Sequence, residues 1–127
     1  YIFTKIPDYI FKSKTSLLLN AKARDGSLVG FNVLDLGSLR YAFYMFNFIS
    51  RKLYIPGASD LLMYEMIKIA KQKGKEFINL GLGINKGVTF FKKKWNGKIF
   101  LNYQFTYKII DRNSTIDKIL SVIRQYF

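Results

Sequence analysis

This sequence of 127 residues contains neither cysteine nor histidine. The absence of cysteine excludes disulfides, thiolate metal sites and a thiol nucleophile. The absence of histidine removes the commonest general base and the commonest metal ligand of proteins. No apolar run approaches the roughly 18 to 20 residues that a membrane-spanning helix needs, and no segment has the pattern of a signal peptide. We therefore expect a cytoplasmic protein without a metal site.

Acidic residues are also scarce, because eight Asp and Glu stand against 21 Lys and Arg, for a net charge of +13. Such a field attracts polyanions, among them nucleic acid, acidic membrane surfaces and nucleotide cofactors. An AT-rich genome would produce the same bias, and composition leaves both explanations open. Half of the residues are hydrophobic. A chain of this length buries roughly two-thirds of its unfolded surface, so we expect one packed domain over residues 1–127.

The first half of the chain predicts three strands after a lead-in segment. Residues 1–14 mix apolar and basic side chains around Pro7, which suits either a short helix or an irregular segment. Residues 16–23 and 28–36 predict a hairpin, because the residues between them, RDGS, supply turn chemistry. The aromatic run at 41–49, YAFYMFNFI, predicts a central strand covered on both faces.

Residues 57–87 form the most informative stretch. An amphipathic helix is predicted over Asp60–Lys73, with Ser59 as its N-cap and Gly74 closing it. The short apolar run at 77–80 then predicts a buried strand, and a strand–helix–strand crossover of this size implies parallel pairing with the preceding strand. The remaining elements are, in order, a short helix at 88–95, a long strand at 98–110 and a last helix from Ser114.

This order, β–β–β–α–β–α–β–α, resembles the central and C-terminal part of the GNAT acyltransferase superfamily, an α/β fold with a mixed central sheet. The segment DGSLVG at 25–30 matches that superfamily's hairpin, where a DG turn leads into a strand with a Val-Gly pair. The run FKKKWNG at 91–97 is similar to an ending found in its FemAB-like and lysyltransferase-like branches. The resemblance covers about residues 16–107. Because the chain begins at Tyr1 without an initiator methionine, we expect N-terminal elements of that fold to be missing from this piece.

The resemblance implies that the loop before the long helix binds coenzyme A. In GNAT proteins this loop offers backbone N–H groups to the pyrophosphate, helped by the dipole of the following helix. The corresponding residues are Arg51, Lys52, Gly57, Ala58 and Ser59. The loop departs from the superfamily's pattern, because it contains Pro56 and a single glycine, and because Asp60 puts a carboxylate where it repels a phosphate. Ordinary capping of a helix is the competing interpretation.

A second group follows the short strand, at Asn79, Gly81, Gly83 and Asn85. Ligands of α/β sheets collect at the carboxyl ends of strands, and GNAT enzymes splay two parallel strands there to admit the pantetheine arm. The resemblance therefore implies that Asn79 or Asn85 hydrogen-bonds the pantetheine amides or the acceptor. Turn formation is the alternative, since Gly and Asn both adopt positive φ readily.

The acid and the base of the reaction are harder to assign. The superfamily often places a tyrosine in the helix after this turn to protonate the leaving thiolate, and by register that position is Phe91. Lys92 is the candidate cation instead, with Tyr103 and Tyr107 as further possibilities, although a solvated lysine face would look the same. Among the carboxylates only Asp35 suggests a cleft. Proximity of amine and thioester can itself supply roughly 7 to 11 kcal/mol.

The sequence thus predicts transfer of an acyl group from acyl-CoA, such as acetyl-CoA, to an amine acceptor. One alternative is an aminoacyl-tRNA-dependent transferase, favoured by the positive charge and the FemAB-like motif. Another is a non-catalytic nucleic-acid-binding module that uses its basic surface and exposed aromatic rings.

Overall fold

The computed structural model describes residues 2–100, with side chains from residue 4 onward. Its elements are, in order, α1 (Ile2–Lys12), β1 (Ser16–Lys22), β2 (Leu28–Asp35), β3 (Tyr41–Ile49), α2 (Ala58–Gln72), β4 (Phe77–Asn79) and α3 (Lys86–Lys94). The predicted order is confirmed this far, and the open choice at the N-terminus is resolved as a helix. Most of the predicted strand at 98–110, with Tyr103 and Tyr107, and the predicted last helix lie outside the described residues.

The chain divides into two compact units, Tyr1–Gly97 and Lys98–Phe127. The description that follows concerns the first unit, and the expectation of one domain over the whole chain stays a prediction. No helix of the described residues is long and apolar enough to cross a membrane.

The four strands form one sheet in the order β1-β2-β3-β4. β1 pairs with β2 and β2 with β3 in antiparallel fashion, whereas β4 lies parallel to β3. The β1–β2 hairpin turns at Gly26, whose φ of +86° favours glycine, and Asp25 Oδ1 accepts a hydrogen bond from the Ser27 N–H at 2.9 Å. The predicted hairpin and the predicted parallel crossover are both confirmed.

The core lies between the sheet and α2. One buried cluster consists of Leu34, Ala42, Met63, Met66 and Ala70, with Trp95 and Phe91 packed against its edge. A second cluster, nearer the start of α2, consists of Ala21, Val29, Ala58 and Leu62. The apolar residues of α2 recur every three or four positions, so its buried stripe faces the sheet along its whole length.

β3 is central in the sheet, as predicted, but within the described residues it is covered on one face. Ala42 is fully buried under α2, while Phe43 and Phe46 are half-buried and Met45 is 42% exposed. Tyr41 stacks on Phe77 with 5.2 Å between ring centroids. The aromatic side chains therefore cover one another in part. An apolar run in the sequence looks the same whether its strand is covered in this way or is buried on both faces.

Candidate functional site

β3 and β4 form only a short parallel pairing. They pair only at Tyr41–Phe77, Ala42–Ile78 and Phe43–Asn79. β4 then ends, whereas β3 continues to Ile49 and stays paired with β2 on its other edge. Within the described residues, positions 44–47 of β3 therefore present backbone N–H and C=O groups along an edge that β4 does not cover. This loss of pairing lies where the resemblance implied that two parallel strands splay.

A β-bulge lies where the two strands separate. Leu34 of β2 pairs with Tyr44 and the preceding Val33 pairs with Phe46, so Met45 is an extra residue of β3. A bulge bends its strand and strengthens the local twist, and bulges are frequent beside active sites. Met45 follows the last β3–β4 pair by two positions, so the bend helps to turn β3 away from β4. Nothing in the sequence marks this residue.

α2 begins two residues before its predicted start, and the prediction of Ser59 as its N-cap is wrong. The N-cap is Gly57, in a left-handed conformation with φ of +83° and without a side-chain cap. The Ala58 N–H donates to the Ile55 carbonyl at 3.2 Å and the Leu61 N–H to the Gly57 carbonyl at 2.9 Å. A turn through Gly57 thus starts the helix directly, because only glycine adopts this φ without cost.

The first turn of α2 leaves two backbone donors free. The N–H groups of Ser59 and Asp60 meet no acceptor within the described residues. Free N–H groups and the helix dipole make such a terminus attractive to anions. Gly57, Ala58 and Ser59, predicted to bind the cofactor, are contiguous here.

The approach to this helix start is open. A side-chain carbon at Gly57 would meet no atom of residues 4–100 within 4 Å. Arg51 and Lys52, also predicted to bind the cofactor, are exposed in the same loop. A pocket of about 200 Å³ beside the loop is lined in part by Lys22, Ile55 and Leu61. An anionic ligand can therefore reach the start of α2.

A carboxylate on the first turn of α2 is held by the end of α3. Both oxygens of Asp60 accept hydrogen bonds from Lys94 Nζ at 2.8 Å, and Oδ1 also accepts one from Trp95 Nε1 at 2.9 Å. The hydrogen bonds from Lys94 are the largest cause of a lowered pKa at Asp60, with Trp95 adding to it. The positive charge of Lys94 thereby offsets the negative charge of Asp60, which was expected to repel a phosphate at this helix start. The contact joins residues 34 positions apart, which sequence patterns do not reveal.

The three residues predicted to be catalytic lie around one turn. Asn79 Oδ1 accepts from the Gly81 N–H at 2.8 Å. Asn85 Oδ1 accepts from the Val88 N–H at 2.9 Å and so caps α3, which begins at Lys86 rather than at residue 88 as predicted. Both side-chain carbonyls thus accept hydrogen bonds within the turn, as the interpretation of these residues as turn-forming predicted. Their amide N–H groups donate no hydrogen bond within the described residues.

Lys92 closes the same turn from the other side. Its Nζ donates to the Leu82 carbonyl at 2.5 Å. Partial burial lowers the pKa of Lys92, because it disfavours the charged form. An ammonium with a lowered pKa releases its proton more readily than a solvated lysine. A pocket of about 470 Å³ adjoins the turn, lined by Gly83, Asn85, Lys86, Thr89, Phe90 and Lys93.

Asp35, the carboxylate that the sequence singled out, has a structural environment. Tyr9 Oη and Thr15 Oγ1 donate to Asp35 Oδ2 at 2.5 and 3.1 Å, and the Gly37 N–H donates to Oδ1 at 2.7 Å. Burial acts to raise the pKa of Asp35, but these hydrogen bonds and the charge of Lys75 outweigh it and the net pKa is lowered. Asp35 therefore links α1 to the sheet. Because these hydrogen bonds stabilise its charged form, it is a weak base.

A buried asparagine, Asn32, and its half-buried partner Asn47 were not anticipated. Asn32 of β2 and Asn47 of β3 are register partners, and the Oδ1 atom of each is buried without a hydrogen-bond partner within the described residues. Asn32 Nδ2 has only a weak contact, 3.9 Å from Met66 Sδ. A buried acceptor left unpaired costs about 1 to 3 kcal/mol. The pair therefore lowers the stability of the sheet beneath α2.

No family model matches this sequence, and neither does any curated protein. Its structure is nevertheless similar to that of several acetyltransferases. The aminoglycoside N-acetyltransferase AAC(6')-Iy in complex with CoA is 15% identical with a TM-score of 0.66, over 85% of this chain and 88% of that one. The enzyme AAC(6')-IG from Acinetobacter haemolyticus is 14% identical with a TM-score of 0.66, over 87% and 81%.

A GNAT family acetyltransferase from Elizabethkingia anophelis with acetyl-CoA bound is 19% identical with a TM-score of 0.59, over 72% of this chain and 58% of that one. Identities this low show a common fold and nothing finer. The mixed sheet with its short parallel pairing and the helix that connects the two parallel strands agree with the fold of these similar structures. The predicted fold is confirmed. This chain has the fold of the GNAT acetyltransferases.

Proposed function

We propose that this chain is an N-acyltransferase that takes an acyl group from acyl-CoA, in the simplest case acetyl-CoA, and transfers it to an amine. The observation that carries the proposal is the parting of β3 from β4 beside a helix start with two free N–H groups. Two of the similar structures contain CoA or acetyl-CoA, which supports the same donor here.

The donor would be bound along the opening between the strands. The N–H groups at Ser59 and Asp60 would receive the pyrophosphate, with Gly57 and Ala58 allowing close approach and Arg51 and Lys52 adding positive charge. The pantetheine amides would bond the β3 edge at positions 44–47, which β4 does not cover, as an added strand does. The side-chain amides of Asn79 and Asn85 offer donors at the end of β4.

Transfer requires attack of the amine nitrogen on the thioester carbon, cleavage of the carbon–sulfur bond, loss of a proton from the amine and gain of one by the leaving thiolate. Lys92 is the proposed proton donor to that thiolate, since its burial lowers its pKa. The described carboxylates offer no clear base: Glu65 and Glu76 form ion pairs and Asp35 is hydrogen-bonded three times. Orientation of the two substrates then carries much of the rate enhancement.

An aminoacyl-tRNA donor is the second candidate, favoured by the net charge of +13. Thermal unfolding of the full chain with acetyl-CoA, longer acyl-CoAs or bulk tRNA separates the two. A ligand that binds only the native state at 100 times its Kd raises the free energy of unfolding by about 2.7 kcal/mol. Saturable stabilisation by acetyl-CoA supports the proposal. Stabilisation by tRNA alone, steeply weakened by salt, contradicts it and favours the second candidate.

A further inference from the structure

The proposed donor site contains an anion of its own. Asp60 is the third residue of α2, and its backbone N–H is one of the two free donors there. Its carboxylate therefore lies on the same helical turn as the groups that would receive a diphosphate. Like charges repel at this range, so the carboxylate opposes binding of any phosphate at this helix start unless its charge is offset.

The offsetting charge comes from α3. Lys94 Nζ lies 2.8 Å from each oxygen of Asp60, so its positive charge is centred on the carboxylate. Trp95 holds the same group through Nε1 while its ring packs against the core cluster. Two donors on adjacent residues thus fix both the charge and the position of Asp60. The pair is half-exposed, and a ligand at the helix start therefore feels both charges.

We propose that Asp60 and Lys94 act with opposite sign on the binding of a diphosphate at the start of α2. Asp60 lowers the affinity of this site for the donor, and Lys94 restores it by neutralising Asp60. The inference rests on the proposed function, because it takes the diphosphate of an acyl-CoA as the ligand. It assigns to α3 a part in donor binding in addition to the proton-donating part proposed for Lys92.

The test is the Kd for coenzyme A of the full chain and three variants, measured by titration calorimetry at low ionic strength. Asp60→Asn is expected to tighten binding about fivefold, because it removes the repulsion and leaves Lys94 in place. Lys94→Met is expected to weaken binding about fivefold, because it leaves the carboxylate without its counter-ion. The double variant should return close to the wild-type Kd. Both shifts should shrink as salt is added.

A second ion pair on the same helix provides the control. Glu65 and Lys68 are paired at 2.7 Å on the exposed face of α2, and Glu65 lies about 7.5 Å further along the helix axis than Asp60. Glu65→Gln and Lys68→Met change the net charge by the same amounts, and each should change the Kd less than about twofold because these solvated charges lie farther from the diphosphate.

Opposite shifts separate this role from a structural one. Asp60→Asn and Lys94→Met break the same ion pair, so a contact that only held α3 in place would move both Kd values in one direction. Melting temperatures of the variants show whether each is folded. Binding by the wild type without opposite shifts would overturn the inference and leave the proposed function intact. No binding of coenzyme A by the folded wild type would overturn both.

Discussion

Asn32 lies in an apolar environment, fully buried, and its Oδ1 has no hydrogen-bond partner within the described residues. Asn32→Val removes this acceptor and introduces a residue that favours strands. We expect the free energy of unfolding in urea to rise by about 1 kcal/mol, because one of the two desolvated acceptors is removed. Asn20→Val, at an exposed position of β1, controls for strand propensity. A lower stability of Asn32→Val relative to that control would contradict this account.

Tyr9 and Asp35 form a pH-dependent link between α1 and the sheet. Burial and then the hydrogen bond to Asp35 raise the pKa of Tyr9 to about 12, and the net pKa of Asp35 is lowered. The Asp35 contribution to stability is therefore present above its ordinary pKa of 3.8 and is lost as pH falls through the lower folded value. The Tyr9 contribution is present below pH 10 and is lost as pH rises toward 12.

Tyr9→Phe should remove about 1.5 kcal/mol of stability at pH 7, the lower end of the range for a hydrogen bond to a charged group, because both residues are only half-buried. Urea unfolding from pH 2 to pH 11 measures the effect. The difference between wild type and variant should narrow at both ends of that range. A difference that stays constant with pH would show that the lost hydroxyl acts through packing instead.

At the residue scale, sequence reasoning succeeded where the contacts are local. Asn79 and Asn85 form hydrogen bonds within one turn, as the turn-forming interpretation of these residues predicted. It failed at the contact of Asp60 with Lys94, because each residue taken alone is consistent with an ordinary solvated helix surface. The orphaned oxygens of Asn32 and Asn47 were missed for a similar reason, since only the strand register brings them together.

At the element scale, the start of α2 decides whether an anion can approach. Gly57→Asp and Gly57→Asn add side chains of nearly equal shape in open space, at a φ that Asp and Asn tolerate better than most residues. We expect similar melting temperatures for both. The Kd for coenzyme A should rise at least about tenfold more in Gly57→Asp, because only Asp adds a negative charge beside the phosphates.

Equal affinities of the two Gly57 variants would show that the diphosphate does not lie at this helix start. A failure of both variants to fold would place the cause in the backbone conformation of Gly57 and not in its charge. Gly26→Asn, at a hairpin turn with φ of +86°, measures the cost of that conformation away from the site.

The elements themselves were largely predictable because their signals are periodic. The crossover of β3, α2 and β4 follows from an amphipathic stripe between two apolar runs. The two helix starts were each placed two residues late, at Asp60 and Val88 instead of Ala58 and Lys86. Capping preferences favoured Ser59, but the left-handed conformation of Gly57 is set by the tertiary path of the loop, which no local preference encodes.

At the scale of the whole molecule, charge is the dominant property. The net charge is +13, and the three salt bridges of the described residues are all partly exposed. Repulsion among like charges opposes the compact state and is screened by salt. We expect the melting temperature to rise by about 2 to 5 °C between 50 and 500 mM sodium chloride. A fall over this range would show that attractive ion pairs outweigh the repulsion.

The margin of β3 that β4 leaves uncovered has a second consequence, for self-association of the protein in solution. A strand border with unsatisfied main-chain groups is a template for another copy's strand. Within the described residues, positions 44–47 form such a border, and two of the four, Tyr44 and Phe46, are aromatic. Unliganded preparations should therefore self-associate with increasing concentration, and a molecule seated along that border should keep them monomeric.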